Sequence, residues 1–230
     1  MAVDESLLAS CAGGNDCALR FYGWREPTLS LGYFQPHAQR NQHPQSAACP
    51  LVRRPTGGGA ILHDDELTYS LILPKSDLLG GDALAMVRAV HESLIEALSN
   101  WRVSAKLQET AVPGNSPDPP FLCFQRRAPR DVVIGGSKIA GSAQRRRRSA
   151  VLQHGSVLLR ASTVAKELPG IEEVTGKRIE AAVLREAWTE TLARRGKWRI
   201  QSRPLTAKER ETALVMQHRR YAGDKWNRRK

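Results

Sequence analysis

The sequence predicts an α/β domain, a sheet with flanking helices, because two different periodicities of apolar residues occur along it. Short apolar-rich runs, among them 28–33 and 150–159, have the length typical of strands. The longer run 82–99 repeats its apolar residues every three or four positions, as an amphipathic helix does. With 230 residues, of which 41% are hydrophobic, the chain can bury one core. We therefore predict a single domain over residues 1–230, with 163–230 as a helical C-terminal segment packed on it.

The chain opens on a predicted helix followed by two strands. Apolar residues at helical spacing mark the helix: Val3, Leu7, Leu8 and Cys11. An aromatic-rich strand, 19–24, follows. A Glu-Pro pair then turns the chain into a second strand, 28–33, whose apolar residues alternate with small polar ones. Because so short a turn joins them, we expect the two strands to pair with each other.

A polar loop and a buried strand come next. The loop, 35–50, contains His37 and His43, which have no acidic or thiol partner at the spacing of metal ligands. Both are therefore predicted to be surface histidines. Residues 67–73 form the next strand.

Four helical segments are predicted beyond the first one. Asp82 can cap a helix over 82–99, on which His91 is expected at the surface or at its boundary with the core. The apolar face of this helix is Leu84, Val87, Val90, Leu94, Ile95 and Leu98. Residues 163–168 form a short helical piece, and a longer helix closes near Gly196. This longer helix is marked by Ile179, Val183, Ala187, Trp188 and Leu192. A capping-box pattern begins the last helix, 206–221.

The charge of the chain indicates acidic partners. Its formal net charge is +12, and the basic residues concentrate in Arg145 to Arg148 and in a C-terminal tail. The tail residues are Arg219, Arg220, Lys225, Arg228, Arg229 and Lys230. Few aromatic residues, 6%, count against a surface that stacks nucleic-acid bases. No apolar run is long enough for a membrane span and no secretory leader is seen, so we expect a cytoplasmic protein with free thiols.

Three glycines, Gly57, Gly58 and Gly59, form the first candidate binding element. They follow Arg53 and Arg54, whose guanidinium groups could hold a carboxylate or a phosphate. Consecutive glycines also leave backbone N–H groups free to face a ligand. The pattern differs from the phosphate-binding loop of nucleotide triphosphatases and is followed by a strand rather than a helix.

Lys138 and Cys123 form the second candidate. Lys138 stands among glycines in the segment IGGSKIAGS, where an extended substrate could approach the amine closely. Cys123 follows a long loop, 106–120, and taken blind would be a small buried hydrophobe. The distance along the chain also suits neighbouring strands, on which the thiol and the amine would meet. His154, in the middle of the strand 150–159, is either a hydrogen-bonded residue of the sheet or a functional one.

Six segments together resemble the lipoate-protein ligase and octanoyltransferase family: FYGW, TLSLGYFQ, RRPTGGGAILHDDELTYS, GGSKIAGSAQRRRR, VLQHGSVLL and RYAGDKWN. The resemblance covers most of the chain. It implies the α/β fold shared with biotin protein ligases, in which a mainly antiparallel sheet surrounds an acyl pocket and helices pack outside. It also implies a medium-chain acyl substrate, with the lysine of a lipoyl domain or of the glycine-cleavage H protein as acceptor.

The branch of the family that the chain resembles most is the cysteine-type octanoyltransferase. That resemblance implies that Cys123 carries an acyl thioester taken from octanoyl acyl carrier protein and that Lys138 stabilises the thiolate and the oxyanion. It implies these substrate-binding residues: Arg54, Gly57, Gly58, Gly59, His63, Gly141, Ser142, His154 and Gly155. No metal or nucleotide cofactor is expected, because a donor thioester is already activated.

Two alternatives stay open at this point. In an ATP-dependent lipoate-protein ligase, which uses ATP and Mg²⁺, Lys138 would hold the acyl-adenylate and Cys123 would only pack. In a basic binding module, the chain would dock nucleic acid or an acidic protein without catalysis.

Overall fold

Two β-sheets form the framework of the protein in a computed structural model that describes residues 1–14, 17–77, 79, 81–112, 120–147 and 149–229. The larger sheet is antiparallel throughout, in the order β1-β5-β9-β8-β7-β6. The smaller sheet has the order β3-β2-β4, with β2 parallel to β3 and antiparallel to β4. The strands are β1 Ala18–Tyr22, β2 Thr28–Leu31, β3 Leu51–Arg53, β4 Ile61–His63, β5 Glu66–Pro74, β6 Lys106–Leu107, β7 Val132–Ile134, β8 Ser137–Arg146 and β9 Ala150–Leu158. The prediction of a mixed fold with a mainly antiparallel sheet is confirmed.

Helices cover both faces of the larger sheet. They are α1 Ala2–Ala12, α2 Ala83–Ser99, α3 Ile171–Thr175, α4 Ala181–Gly196, α5 Ala207–Met216 and α6 Asp224–Asn227. Short 3₁₀ helices occupy His37–Gln42, Pro44–Ser46 and Cys123–Gln125, and a π-helical turn occupies Gln217–Tyr221. No helix in the described part of the chain is long and apolar enough to cross a membrane.

Strand β5 shows how one sequence serves both faces of the sheet. Its odd-numbered residues, such as Tyr69 and Leu71, join the main core beneath α2 and α4. Trp188 of α4 closes that core, with its ring 4.8 Å from the Tyr69 ring and its indole N–H on Ser93 Oγ at 2.9 Å. The even-numbered residues face the other side, where Ile72 packs under α1. A polar residue of this second face, Thr68, lines the pocket described below.

Two buried arginines, neighbours at the end of β3, hold the smaller sheet together. Arg53 is fully buried, and its guanidinium donates to backbone carbonyls, among them Gly32 O at 2.8 Å and Trp226 O at 3.0 Å. It therefore ties α6 to this sheet, and Asn227 completes the contact by accepting the Arg53 N–H at 2.9 Å. The prediction that Arg53 could hold a carboxylate or a phosphate is wrong, because its guanidinium N–H groups donate to backbone carbonyls of the protein itself.

The strand pairing predicted for the first two strands is wrong. Strand β1 pairs with β5 in the larger sheet, whereas β2 lies between β3 and β4 in the smaller one. The Glu26-Pro27 segment carries the chain from one sheet to the other instead of closing a hairpin. Further along the chain, β7 and β8 form an antiparallel pair joined by a tight turn. The chain turns back at Gly135 and Gly136, whose φ angles of +55° and +87° favour glycine.

Four further local predictions are wrong in their burial or shape. His91 is 1% exposed, with Nδ1 hydrogen-bonded to the Arg130 carbonyl, and His43 is 6% exposed, with Nε2 3.0 Å from Glu167 Oε1. Segment 163–168 forms turns rather than a helix. In α2, Leu84 is exposed because Met86 takes its place on the buried face. The helices predicted to start at Asp82 and Thr206 do carry their side-chain caps.

Candidate active site

The Cys123 thiol and the Lys138 amine lie side by side at one end of a pocket. Cys123 begins a 3₁₀ turn, and its backbone N–H donates to Ala60 O at 2.7 Å, which holds it beside the glycine loop. The Lys138 Nζ atom is 3.7 Å from Cys123 Sγ and 3.5 Å from Cys123 O. The Lys138 side chain is only 4% exposed, so its ammonium acts on the thiol with little screening by solvent.

Asp131, which the sequence analysis did not single out, orients this lysine. Its carboxylate lies 2.8 Å from Lys138 Nζ and also accepts the Ala128 N–H at 2.7 Å. Asp131 immediately precedes β7, the strand that pairs with the lysine-bearing β8. Asp131 could have been found from the sequence, because it is an acidic residue next to the strand that precedes the lysine strand. Gly141 supplies the space, since a Cβ there would stand 2.7 Å from Lys138 Cε.

Hydrogen bonds from Arg54 hold the conformation of the glycine loop, residues Gly57 to Gly59. This wholly buried guanidinium donates to the carbonyls of Ser30, Gly57 and Gly59 at 2.9, 2.9 and 2.6 Å. Burial lowers the pKa of Arg54 to about 10, against a smaller opposing effect of Cys123. Gly58 has φ +96°, a conformation that favours glycine. Arg54 thus organises the loop through its carbonyls.

The pocket lies between the two sheets, is partly open to solvent and has a cavity volume of about 60 Å³. Its floor is a row of directly opposed residues on β8, β9 and β5: Gly141, Ser156 and Thr68. The predicted site residues that line it are Arg54, Gly57, Gly58, His63, Cys123, Gly141, Ser142, His154 and Gly155. Gly59 and Lys138 stand just behind this lining. Gly59 packs on the carbonyl of Phe121, and Lys138 supports the thiol.

The two histidines of the pocket are held by different partners. His154 Nε2 lies 2.6 Å from the Thr56 hydroxyl, and burial lowers the pKa of His154 to about 3, so its imidazole is neutral. His63 Nδ1 lies 2.6 Å from Glu66 Oε1, and its ring stacks on Trp24 with centroids 4.2 Å apart. Among the described residues, no three His, Cys, Asp or Glu side chains are grouped as metal ligands.

Comparison with known proteins identifies the family. Residues 1–183 match the model of the lipoyl protein ligase A/B catalytic domain. Octanoyltransferase LipM of Kyrpidia tusciae is 33% identical, with 100% of this chain and 94% of the relative covered. The protein of that name from Geobacillus kaustophilus is 30% identical, with 99% and 92% covered.

Solved structures share the fold at lower identity. A putative lipoate protein ligase of Thermoplasma acidophilum, Ta0514, superposes with a TM-score of 0.78 at 23% identity, covering 99% of this chain and 92% of the other. A lipoate-protein ligase A bound with ATP gives 0.79 at 23% identity, with the same coverage. A family match over most of the chain and full-length relatives at 33% and 30% identity lead to one conclusion: the chain belongs to the lipoyl protein ligase A/B catalytic domain family.

Proposed function

We propose that this protein is an octanoyltransferase of lipoate biosynthesis that works through a cysteine thioester. The donor is octanoyl acyl carrier protein, and the acceptor is the lysine of a lipoyl-domain protein or of the glycine-cleavage H protein. The observation that carries the proposal is the 3.7 Å approach of Lys138 Nζ to Cys123 Sγ beside a largely apolar pocket. The full-length relatives named octanoyltransferase support the same reaction.

The first half-reaction acylates the enzyme. Cys123 attacks as the thiolate, so that a bond forms between its Sγ and the donor carbonyl carbon. The bond to the carrier sulfur breaks, and the carrier thiol leaves with the proton that the cysteine gave up. Lys138, held by Asp131 at 2.8 Å, places its ammonium where negative charge develops on the sulfur and on the carbonyl oxygen.

The second half-reaction forms the amide. The neutral amine of the acceptor lysine attacks the acyl carbonyl on Cys123, an amide bond forms, and the bond to Sγ breaks. The proton lost by the amine returns to the cysteine sulfur, which restores the starting enzyme. Because both the donor and the acyl-enzyme are thioesters, we propose that no metal or nucleotide cofactor takes part.

The acylated intermediate provides the direct test. Wild-type enzyme incubated with octanoyl acyl carrier protein, without ATP or acceptor, should gain one octanoyl group on Cys123 that hydroxylamine removes. Intact-mass and peptide mass spectrometry would detect it. Cys123→Ala should lose both the adduct and transfer, whereas Cys17→Ala, which changes an exposed cysteine, should keep both.

Variants of the lysine pair test the supporting roles. Lys138→Ala should slow adduct formation about a hundredfold, the usual effect of losing one donor to a developing oxyanion. Asp131→Asn keeps the ammonium but removes its anchor, so a smaller loss is expected. Unimpaired, ATP-dependent use of free lipoate by Cys123→Ala would instead establish the ligase alternative. Absence of transfer from either donor, with or without ATP, would leave only a binding role.

A further inference from the structure

We propose that Phe34, with the arginines around it, is a docking surface for the protein part of the donor, octanoyl acyl carrier protein. This inference rests on the proposed function, since it takes that carrier as the donor. Phe34 stands on the turn that follows β2, and its side chain is 81% exposed. The sequence analysis did not single it out.

Phe34 lies beside the glycine loop at the rim of the pocket. A Cβ at Gly57 would stand 3.6 Å from Phe34 Cδ2, and Gly57 is part of the pocket lining. The turn and the loop also touch through their backbones, because a Cβ at Gly32 would overlap the Gly58 carbonyl. Cys123 lines the same pocket. A donor protein that delivers its thioester over the glycine loop therefore meets the Phe34 ring.

Hydrogen bonds fix the turn that carries this ring. The buried Arg53 guanidinium donates to Gly32 O at 2.8 Å and to Tyr33 O at 3.4 Å. The Tyr33 N–H donates to Thr56 O at 2.8 Å. The Phe34 ring packs edge-on against the Tyr33 ring, with centroids 4.8 Å apart. Because the turn is already ordered, a partner that covers the ring loses little affinity to ordering it.

Two guanidinium groups lie next to this aromatic pair. Arg229 is placed over the Tyr33 ring, 4.0 Å from its centroid, and also donates to Tyr33 O. Arg145 donates to Pro55 O at 2.9 Å, just before the glycine loop. A hydrogen bond from Arg229 is the main cause that lowers the pKa of Tyr33, and the charge of Arg145 adds to it. Positive charge therefore surrounds the exposed Phe34 ring.

This charge is available to an acidic partner. Within the described residues, neither Arg145 nor Arg229 forms an ion pair, and Glu5 is bonded to Arg147 and Arg220 instead. Aromatic and arginine side chains are enriched in protein interfaces, and clustered positive charge attracts an acidic partner. The carrier is acidic and holds its acyl group on a phosphate-bearing arm. The acceptor presents a lysine, whose charge has the same sign as the rim, so the observations favour the donor.

Acylation by two donors tests the docking surface. The octanoyl adduct on Cys123 is followed by mass spectrometry at rising concentrations of octanoyl acyl carrier protein. The octanoyl thioester of N-acetylcysteamine, which has no protein to dock, serves as the second donor. Phe34→Ala removes the ring, and Phe34→Leu keeps an apolar side chain. Val183→Ala is the matched control, because Val183 is an exposed apolar residue of α4, across the larger sheet from the pocket. Thermal unfolding establishes that each variant is folded.

We expect Phe34→Ala to raise the KM for octanoyl acyl carrier protein at least about tenfold, the loss typical of an aromatic residue at the centre of an interface. Phe34→Leu should show a smaller rise. The ratio of mutant to wild-type KM should persist at about 1 M salt, where charge effects are screened, because the contact is apolar. Both Phe34 variants should use the small thioester as wild type does, and Val183→Ala should match wild type with both donors.

Three results would overturn the docking surface alone. An unchanged KM for the carrier in folded Phe34→Ala would remove the contact. An equal loss with the small thioester would mean that Phe34 supports the glycine loop instead. Normal acylation followed by slower transfer from the adduct to the acceptor would assign Phe34 to the acceptor. No octanoyl adduct on wild-type Cys123 from the carrier would overturn the proposed function, and the inference with it.

Discussion

His154 is a buried imidazole at the pocket, and its Nε2 atom lies 2.6 Å from the Thr56 hydroxyl. Burial is the main reason that the pKa of His154 falls to about 3, and the nearby Arg54 guanidinium lowers it further, while Asp4 acts in the opposite direction. The side chain is thus neutral throughout the range in which the enzyme would work. It can orient a hydroxyl or a substrate, and it is a poor proton acceptor.

The buried neutral histidine predicts an acid-sensitive stability. Between pH 6.5 and about 3 the unfolded chain takes up a proton at His154 that the folded chain does not, so the free energy of unfolding falls as the pH falls. The slope from one such group is at most about 1.4 kcal/mol per pH unit. In urea titrations at pH 7, 5.5 and 4, His154→Gln should therefore gain on wild type as the pH is lowered. Equal pH dependence in both proteins, with His218→Gln as the exposed control, would contradict this.

At the scale of elements, Gly141 and Gly155 of the β8–β9 hairpin have different structural roles. Gly141 leaves room for a flexible side chain, because a Cβ there would meet the end of Lys138 at 2.7 Å. Gly155 leaves room for fixed parts of the sheet, because a Cβ there would stand 2.3 Å from the Gly141 carbonyl and 2.7 Å from the Tyr69 ring. One position therefore bears on the lysine and the other on the packing of the hairpin.

Substituting alanine at each position should distinguish an effect on the lysine from an effect on the packing of the hairpin. Gly141→Ala is expected to keep its melting temperature while acylation slows about tenfold or more, since a displacement costing ~1.4 kcal/mol in the transition state has that effect. Gly155→Ala should lose about 1–3 kcal/mol of unfolding free energy, the usual cost of overpacking. Thermal melts together with the rate of adduct formation distinguish the two variants. Loss of stability in Gly141→Ala with an unchanged rate per folded molecule would refute the assignment.

Across the whole molecule, the basic residues serve the fold as well as any partner. In the arginine run, Arg145 donates to the Pro55 carbonyl at 2.9 Å and Arg146 to the Gly81 carbonyl at 3.0 Å. Arg147 binds Glu5 at 2.8 Å, and Arg220 of the C-terminal segment binds the same carboxylate. Arg148 lies outside the described residues. Glu5 thus joins the first helix, the β8–β9 hairpin and the C-terminal segment. Replacing all the arginines of the run by acidic residues would therefore also disturb the fold.

A single neutral substitution is the cleaner test of docking to an acidic carrier. Arg146 is exposed, and Arg146→Gln should raise the KM for octanoyl acyl carrier protein a few-fold at low salt. The difference should vanish at high salt, where charges are screened within about 3 Å at 1 M. The octanoyl thioester of N-acetylcysteamine should be used equally well by both enzymes. Arg185→Gln removes an exposed charge from α4, across the sheet from the pocket, and an equal effect there would argue for general charge rather than docking.

Much of the secondary structure could be predicted because its causes are local. The caps at Asp82 and Thr206 and the strands around 67–73 and 150–159 follow from residues within a few positions of each other. The thiol and the amine that the spacing was expected to bring together are 3.7 Å apart. The long loop before Cys123 was also predicted, although its residues 113–119 lie outside those described.

What the sequence by itself determined is therefore periodicity, caps, the pair Cys123 and Lys138, and through its motifs the family. Only the tertiary structure decided which sheet each early strand joins, the burial of His43 and His91, and the place of Asp131 beside the lysine. The physical reason is that periodicity depends on neighbours along one element. Strand partners and buried polar contacts depend on groups brought together by packing, whose separation along the chain carries no local signal.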